Sequence, residues 1–288
     1  LLEVAFLLYY GRLSPSAAFL ADILECGHRT QFGQRQANAS LFDTDAHAKC
    51  RCIRDLLLFL AIECLNLEAA LDVVPEGIAA PDDAALAPLA TDPDALERCL
   101  VQLEKAASDV AYAPLLLSFA LVLRRLDEVG SHTPLEPRLA ATLDVVDHGP
   151  QIWRRLLQGA FDPSMQLFDT LHSLVTSPLL RTATRALGAS NLSALAYRAV
   201  FKGLLLTITE LVQPEYLPDL DPLVDLWCLT FRAMPGDVPD GIAALCTQFW
   251  TQDIQYPTRA SLLDTVRRRC PASVLPLVRL APALAGTA

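Results

Sequence analysis

Cysteine and histidine gather in one stretch of this 288-residue chain, at Cys26, His28, His47, Cys50 and Cys52. Thiolate sulfur and imidazole nitrogen are the usual zinc ligands, so this group is the best candidate for metal chemistry. His47 and Cys50 are three apart and can share a helix face, whereas Cys50 and Cys52 cannot. Zinc sites usually pair ligands as C-x(2–4)-C or H-x(3–5)-H, and neither pattern is present. The group therefore reads as core thiols and surface histidines. Asp82-Asp83 could hold magnesium only with a second acidic motif, which is missing, and reads as a solvated pair. His132, His148 and His172 are scattered, with no nucleophile nearby in sequence.

Motif chemistry is equally sparse. The chain contains no G-x-S-x-G elbow, phosphate loop, G-x-G-x-x-G or H-E-x-x-H. Arg267-Arg268-Arg269 closes a predicted helix, where cations meet the carbonyl pole. Trp153, Trp227 and Trp250 stand among apolar neighbours and read as core. No catalytic, cofactor-binding or metal residue is assigned, no cofactor is expected, and the chain is read as a non-enzyme.

The elements that must carry these residues are helical. Apolar stretches of one to two dozen residues alternate with Pro, Gly, Asp or Ser breaks. A side-chain acceptor before proline supplies an N-cap and a first-turn residue whose missing N–H costs nothing. Thr133-Pro134, Asp162-Pro163 and Asp221-Pro222 are such openings, joined by Ser14-Pro15, Asp43 to Asp45, Asp92-Pro93 and Tyr256-Pro257. Helices are predicted near 2–11, 15–26, 45–71, 94–107, 113–129, 135–147, 150–158, 163–176, 178–187, 191–212, 221–233, 240–252, 258–269 and 273–283. Between Asn191 and Val212 the apolar residues recur at three- and four-residue steps, with Arg198, Lys202 and Glu210 expected on another side. That helix and the one spanning Ala46 to Leu71 are apolar around most of their circumference and need neighbours on two sides, as in stacked layers. No segment alternates long enough to require a strand. The stretch 72–93, rich in Asp, Ala and Pro, reads as an acidic surface loop.

Composition agrees with this reading. Hydrophobic residues make up 52% of the chain and charged ones 19%, which excludes disorder for most of it. The net charge of −10 argues against a nucleic-acid footprint over the whole chain. Charge is uneven: Asp72 to Asp109 holds nine acidic and two basic residues, while Arg259 to Arg279 holds five arginines and one aspartate. The eight cysteines lie mostly in apolar stretches and read as reduced thiols of a cytosolic or nuclear compartment. The start, Leu1-Leu2-Glu3-Val4-Ala5-Phe6, lacks signal-peptide features and reads as the middle of a longer chain. The longest charge-free apolar run, Val110 to Leu123, has 14 residues, short of the roughly 20 that cross a bilayer.

Several stretches, in order, resemble the N-terminal region of the largest inner-ring scaffold nucleoporins, with the 188-kilodalton member closer than its 192/205-kilodalton paralogue. They are Leu2 to Tyr10, Phe32-Gly33-Gln34-Arg35-Gln36-Ala37-Asn38 through Asp43, the helix Leu56 to Glu68, Asp109 to Leu121, Tyr197 to Leu205, and Pro214-Glu215-Tyr216-Leu217, with Cys246-Thr247-Gln248-Phe249-Trp250 a weaker echo. The long 72–93 loop departs from the family, as does the lack of its small β-barrel insertion. No fixed repeat of 33 or 34 residues is visible, so a solenoid here would be irregular.

The resemblance implies an all-α fold: an irregular HEAT/ARM-like α-solenoid of about a dozen helices, residues 1–288 forming one segment of a longer superhelix. It implies a structural scaffold of the nuclear pore inner ring, located in the nucleus at the nuclear envelope and supporting nucleocytoplasmic transport. The partners it implies are other inner-ring nucleoporins, including the coiled-coil-bearing linker nucleoporin, flexible Phe-Gly nucleoporin linker segments and transport receptors. Neither nucleic acid nor a direct membrane span is expected. The alternative is a HEAT-repeat nuclear transport receptor or adaptor.

Overall fold

The computed structural model describes residues 1–11, 13, 16–67, 70, 89, 92–105, 109–130, 137, 151–180, 191–212, 216–217, 219–232, 239–251, 266–268 and 274–285. For 129, 130, 191, 192, 239, 240, 248–251 and 284 it describes the backbone alone. Among the described residues there is no strand, so the chain is all-α. Most of the 72–93 loop, and the helices predicted at 135–147 and over most of 258–269, lie outside the described residues. Packing divides the chain into two compact units, Leu1–Thr170 and Leu171–Ala288.

The first unit contains α1 (Leu2–Gly11), α2 (Ala17–Thr30), α3 (Thr44–Cys64), α4 (Pro93–Lys105), α5 (Ala113–Gly130) and α6 (Ile152–Ala160). Short 3-10 turns lie at Ala39–Leu41, Val110–Tyr112 and Pro163–Met165, and the division falls within α7 (Leu167–Val175). The predicted Ser14-Pro15 opening lies outside the described residues, and α2 is capped by Ser16, whose Oγ accepts from Phe19 N at 3.1 Å. Two other starts follow the predicted chemistry: Asp43 Oδ1 accepts from Ala46 N at 2.7 Å and Asp92 Oδ1 from Ala95 N at 3.0 Å. Each bond satisfies an N–H that the first turn leaves without an intrahelical acceptor.

Two predicted helices are shorter than expected. The one predicted over 45–71 ends at Cys64, because Asn66 turns left-handed at φ 48° and its N–H bonds back to the Glu63 carbonyl. Asparagine tolerates that conformation and so closes helices. The helix predicted over 163–176 begins as the 3-10 turn capped by Asp162, passes Gln166 at φ 47° and restarts at Leu167.

Helix α5 is the core of this unit. Every residue from Tyr112 to Leu123 is buried. It packs against α3 and, most extensively, α6; α1 and α2 pack against α3, and α2 against α4. The Val110–Leu123 run thus belongs to a protein core, and among the described residues no helix is long and apolar enough to cross a membrane. The α5–α6 seam has a polar lock. One carboxylate oxygen, Asp127 Oδ2, accepts from Gln151 Nε2 and from Trp153 Nε1, each at 3.1 Å. The Trp153 ring lies beneath the guanidinium groups of Arg124, 5.4 Å away, and Arg154, 5.0 Å away.

The second unit contains a 3-10 turn at Pro178–Leu180, α8 (Asn191–Leu211), α9 (Asp221–Phe231), α10 (Pro239–Thr251) and α11 (Leu275–Leu284). Helix α8 packs on the Pro178–Leu180 turn, α9 and α10, and α9 packs on α10 and α11. The expected Asp221 cap is displaced by two residues: Asp219 Oδ1 accepts from Asp221 N at 3.0 Å, and Asp221 opens the helix.

Substituting Asp127→Leu leaves the buried indole N–H without its acceptor and should cost about 2–3 kcal/mol, whereas Asp127→Asn keeps an oxygen there and should cost less. Urea unfolding of the two variants, followed by tryptophan fluorescence, checks the order.

Candidate functional site

The cysteine and histidine group is spread over two helices. Cys26 and His28 lie near the end of α2, His28 in its last turn, while His47, Cys50 and Cys52 lie on α3. His47 meets the Phe42 ring edge-on at 5.7 Å. Among the described residues no three His, Cys, Asp or Glu side chains are placed to hold a metal, and all seven described cysteines are free thiols. His172 sits on α7, and Trp153 and Trp227 are buried in helices. Arg267 and Arg268 are exposed on a helical turn. Asp82, Asp83, His132, His148, Arg269, Cys270 and the Trp250 side chain lie outside the described residues.

The most unusual backbone follows α2. Gln31, Phe32 and Gly33 are left-handed in succession, at φ 50°, 51° and 79°. Non-glycine residues in that region cost of order 1–3 kcal/mol and persist only where the surroundings hold them. Here the surroundings do so. Phe32 N–H bonds the Gly27 carbonyl at 2.9 Å, closing the helix, and the Phe32 ring is wholly buried. That ring packs so close to Gly27 that a Cβ there would sit 2.8 Å from it, and it meets Tyr112 edge-on at 4.8 Å. A Cβ on Gly33 would sit 2.9 Å from the Ile53 side chain of α3, and Gln34 Nε2 donates to the Cys50 carbonyl at 2.8 Å. Two of the stretches that carry the family resemblance, Phe32 to Asp43 and Asp109 to Leu121, thus interlock through Phe32 and Tyr112. The turn beyond them, Gln34 to Asn38, is exposed.

The second unit holds the polar residues that periodicity misplaces. Arg198 and Lys202, expected on a polar side of α8, are 3% and 0% exposed. Arg198 reaches the far end of α9: its Nη1 donates to the Thr230 carbonyl at 3.0 Å and the Arg232 carbonyl at 2.9 Å. Its Nε donates to the Leu180 carbonyl at 3.3 Å. The last carbonyls of a helix have no intrahelical donor and form its negative pole, so a guanidinium there satisfies both hydrogen bonding and charge. One side chain thereby ties the 178–180 turn and α9 to α8. The signal in sequence was only an arginine interrupting an apolar helix; its acceptors lie more than thirty residues away in the cases of Thr230 and Arg232.

Five of the described thiols are shifted in one direction. Burial pushes Cys64 and Cys99 up from 9.0 to about 12, and raises Cys52, Cys228 and Cys246 in the same direction. A nucleophilic cysteine needs its thiolate stabilised, and these environments do the opposite. Helix α11 is held at α9 by the Arg279–Asp225 ion pair and by Cys228 Sγ donating to the Arg279 carbonyl at 3.4 Å.

Two measurements follow. Arg198→Met removes the donors of two buried carbonyls and one part-buried carbonyl and should destabilise the chain by about 3–5 kcal/mol, with Arg198→Lys intermediate, as read from denaturant midpoints. For Cys64 and Cys99 the unfolded thiol loses its proton near 9.0 and the folded one near 12. Between those values the unfolded state binds fewer protons, so stability is retained below pH 9 and falls as pH rises through the window, by up to about 1.4 kcal/mol per pH unit for each thiol. Unfolding free energies measured across that range should show the decline, and Cys64→Ala with Cys99→Ala should make it shallower.

No protein-family model matches this chain, and no curated protein matches it.

Proposed function

We propose that the chain is a structural scaffold segment with an irregular HEAT/ARM-like α-solenoid architecture, serving the inner ring of the nuclear pore. The observation that carries the architecture is the order of packing. In the first unit the main helix pairs are α1–α3, α2–α3, α2–α4, α3–α5 and α5–α6; in the second they are α8–α9, α8–α10, α9–α10 and α9–α11. Among the described helices, none in these pairs is more than two positions from its partner in chain order, and such packing supports a stacked-repeat reading. The inner-ring assignment is supported by the ordered resemblance of Leu2 to Tyr10, Phe32 to Asp43, Leu56 to Glu68, Asp109 to Leu121 and Tyr197 to Leu205 to the large scaffold nucleoporins. The physical roles of Phe32, Gly33 and Tyr112 in one interlock give part of that resemblance a structural reason.

A scaffold needs surfaces and no reactive group. Its partners under this reading are the coiled-coil-bearing linker nucleoporin, flexible Phe-Gly nucleoporin linkers and other inner-ring proteins. The net charge of −10 favours, as a second reading, a HEAT-repeat transport receptor or adaptor. Photobleaching of the fluorescently tagged full-length protein in living cells separates the two. A scaffold should show a stable nuclear rim with slow recovery and should co-purify with inner-ring nucleoporins. Recovery within seconds would favour the receptor, and a capture without inner-ring nucleoporins would end the assignment.

A further inference from the structure

The seam between α2 and α4 opens into a surface groove of about 200 Å³. Ala21 of α2 forms its floor, buried and too small to fill the space, and Val101 of α4, 41% exposed, forms one wall. Along α4 the lining residues Asp94, Glu97, Arg98 and Val101 follow the three- and four-residue steps of a single helix face, opposite Glu25 on α2. Arg98 is the groove's cation, and Asp22 already pairs with it at 3.3 Å. Glu25 and Glu97 are exposed and enter no ion pair among the described residues. An apolar floor and wall are therefore framed by carboxylates that outnumber the neutralised arginine.

The dimensions and the charge together select an occupant. The volume is below the roughly 300–1,000 Å³ of small-molecule sites. It suits one aliphatic side chain. An acidic partner would meet like charge, which weakens binding several-fold or more. Lysine and arginine fit both features, because their aliphatic stems cover apolar surface while their heads reach carboxylates.

We propose that the α2–α4 groove docks a short basic peptide segment of a partner protein, with one aliphatic side chain against Ala21 and Val101 and flanking arginine or lysine heads on Glu25 and Glu97. The groove's chemistry is independent of the nuclear pore assignment and holds or fails on its own.

The test is fluorescence anisotropy of the whole chain with a labelled synthetic peptide, one leucine flanked by arginines. Saturable binding is expected, weakening as salt is raised because the pairs are exposed. The double variant Glu25→Gln, Glu97→Gln should weaken binding roughly five- to tenfold, in line with two exposed charge pairs. Val101→Ser should weaken the leucine peptide while leaving its serine-for-leucine counterpart unchanged. These side chains are exposed, so an unchanged thermal melt verifies that each variant is folded. Absence of saturable binding, equal binding of the glutamate counterpart, or full affinity in the folded double variant would each overturn the proposal.

Discussion

A helix that is apolar around most of its circumference must be covered on most sides, and both units are organised by one. Helix α5 is buried continuously from Tyr112 to Leu123, and α8 is buried along most of its length. Once such a helix forms, its backbone bonds are internal. Several of the hydroxyls these helices carry are handled locally. Ser118 donates to the Pro114 carbonyl at 2.7 Å and Thr207 to the Gly203 carbonyl at 2.8 Å. Each bonds one turn back along its own helix, so neither needs a partner from the surrounding layer.

Polar requirements therefore concentrate at helix ends, and the two units meet them differently. In the first, Asp127 near the end of α5 receives donors from the start of α6. In the second, Arg198 lies inside α8 and serves carbonyls at the ends of neighbouring elements. The second solution places a charge in the core. Burying it carries a desolvation penalty of several kcal/mol that only complete hydrogen bonding offsets. Its compensation is geometric: a planar fork with fixed donor directions allows the 178–180 turn, α8 and α9 to meet in only a narrow set of arrangements.

The class of fold was legible in sequence because helical periodicity, caps and breaks are local. Asp43, Asp92 and Asp162 act where acceptor-plus-helix logic places them. The errors are also local in origin. Asn66 and Gln166 end or interrupt helices without proline or glycine, through left-handed backbone that those side chains merely tolerate. Arg198 and Lys202 were misplaced because periodicity assigns charge to solvent and has no access to acceptors contributed from elsewhere. The left-handed run at Gln31 and Phe32 was hidden for a related reason: what holds it is Tyr112, some eighty residues downstream, and the lack of a side chain at Gly27, where the Phe32 ring packs. The α2–α4 groove was invisible too, since it depends on which faces of two helices meet.

Packing between near neighbours in chain order also governs how damage spreads. Where stability is a sum of adjacent interfaces, loosening one seam leaves the others largely intact. The Asp127 bonds to Gln151 and Trp153 belong to that kind, because they join α5 to the start of α6. Arg198 does not, because its acceptors come from a turn before α8 and a helix after it. The first unit should therefore tolerate local opening near α6 while α1 to α4 stay folded, whereas the part of the second unit around α8 behaves as one cooperative block. This contrast assigns compliance to seams with a single lock and rigidity to the block that shares one guanidinium.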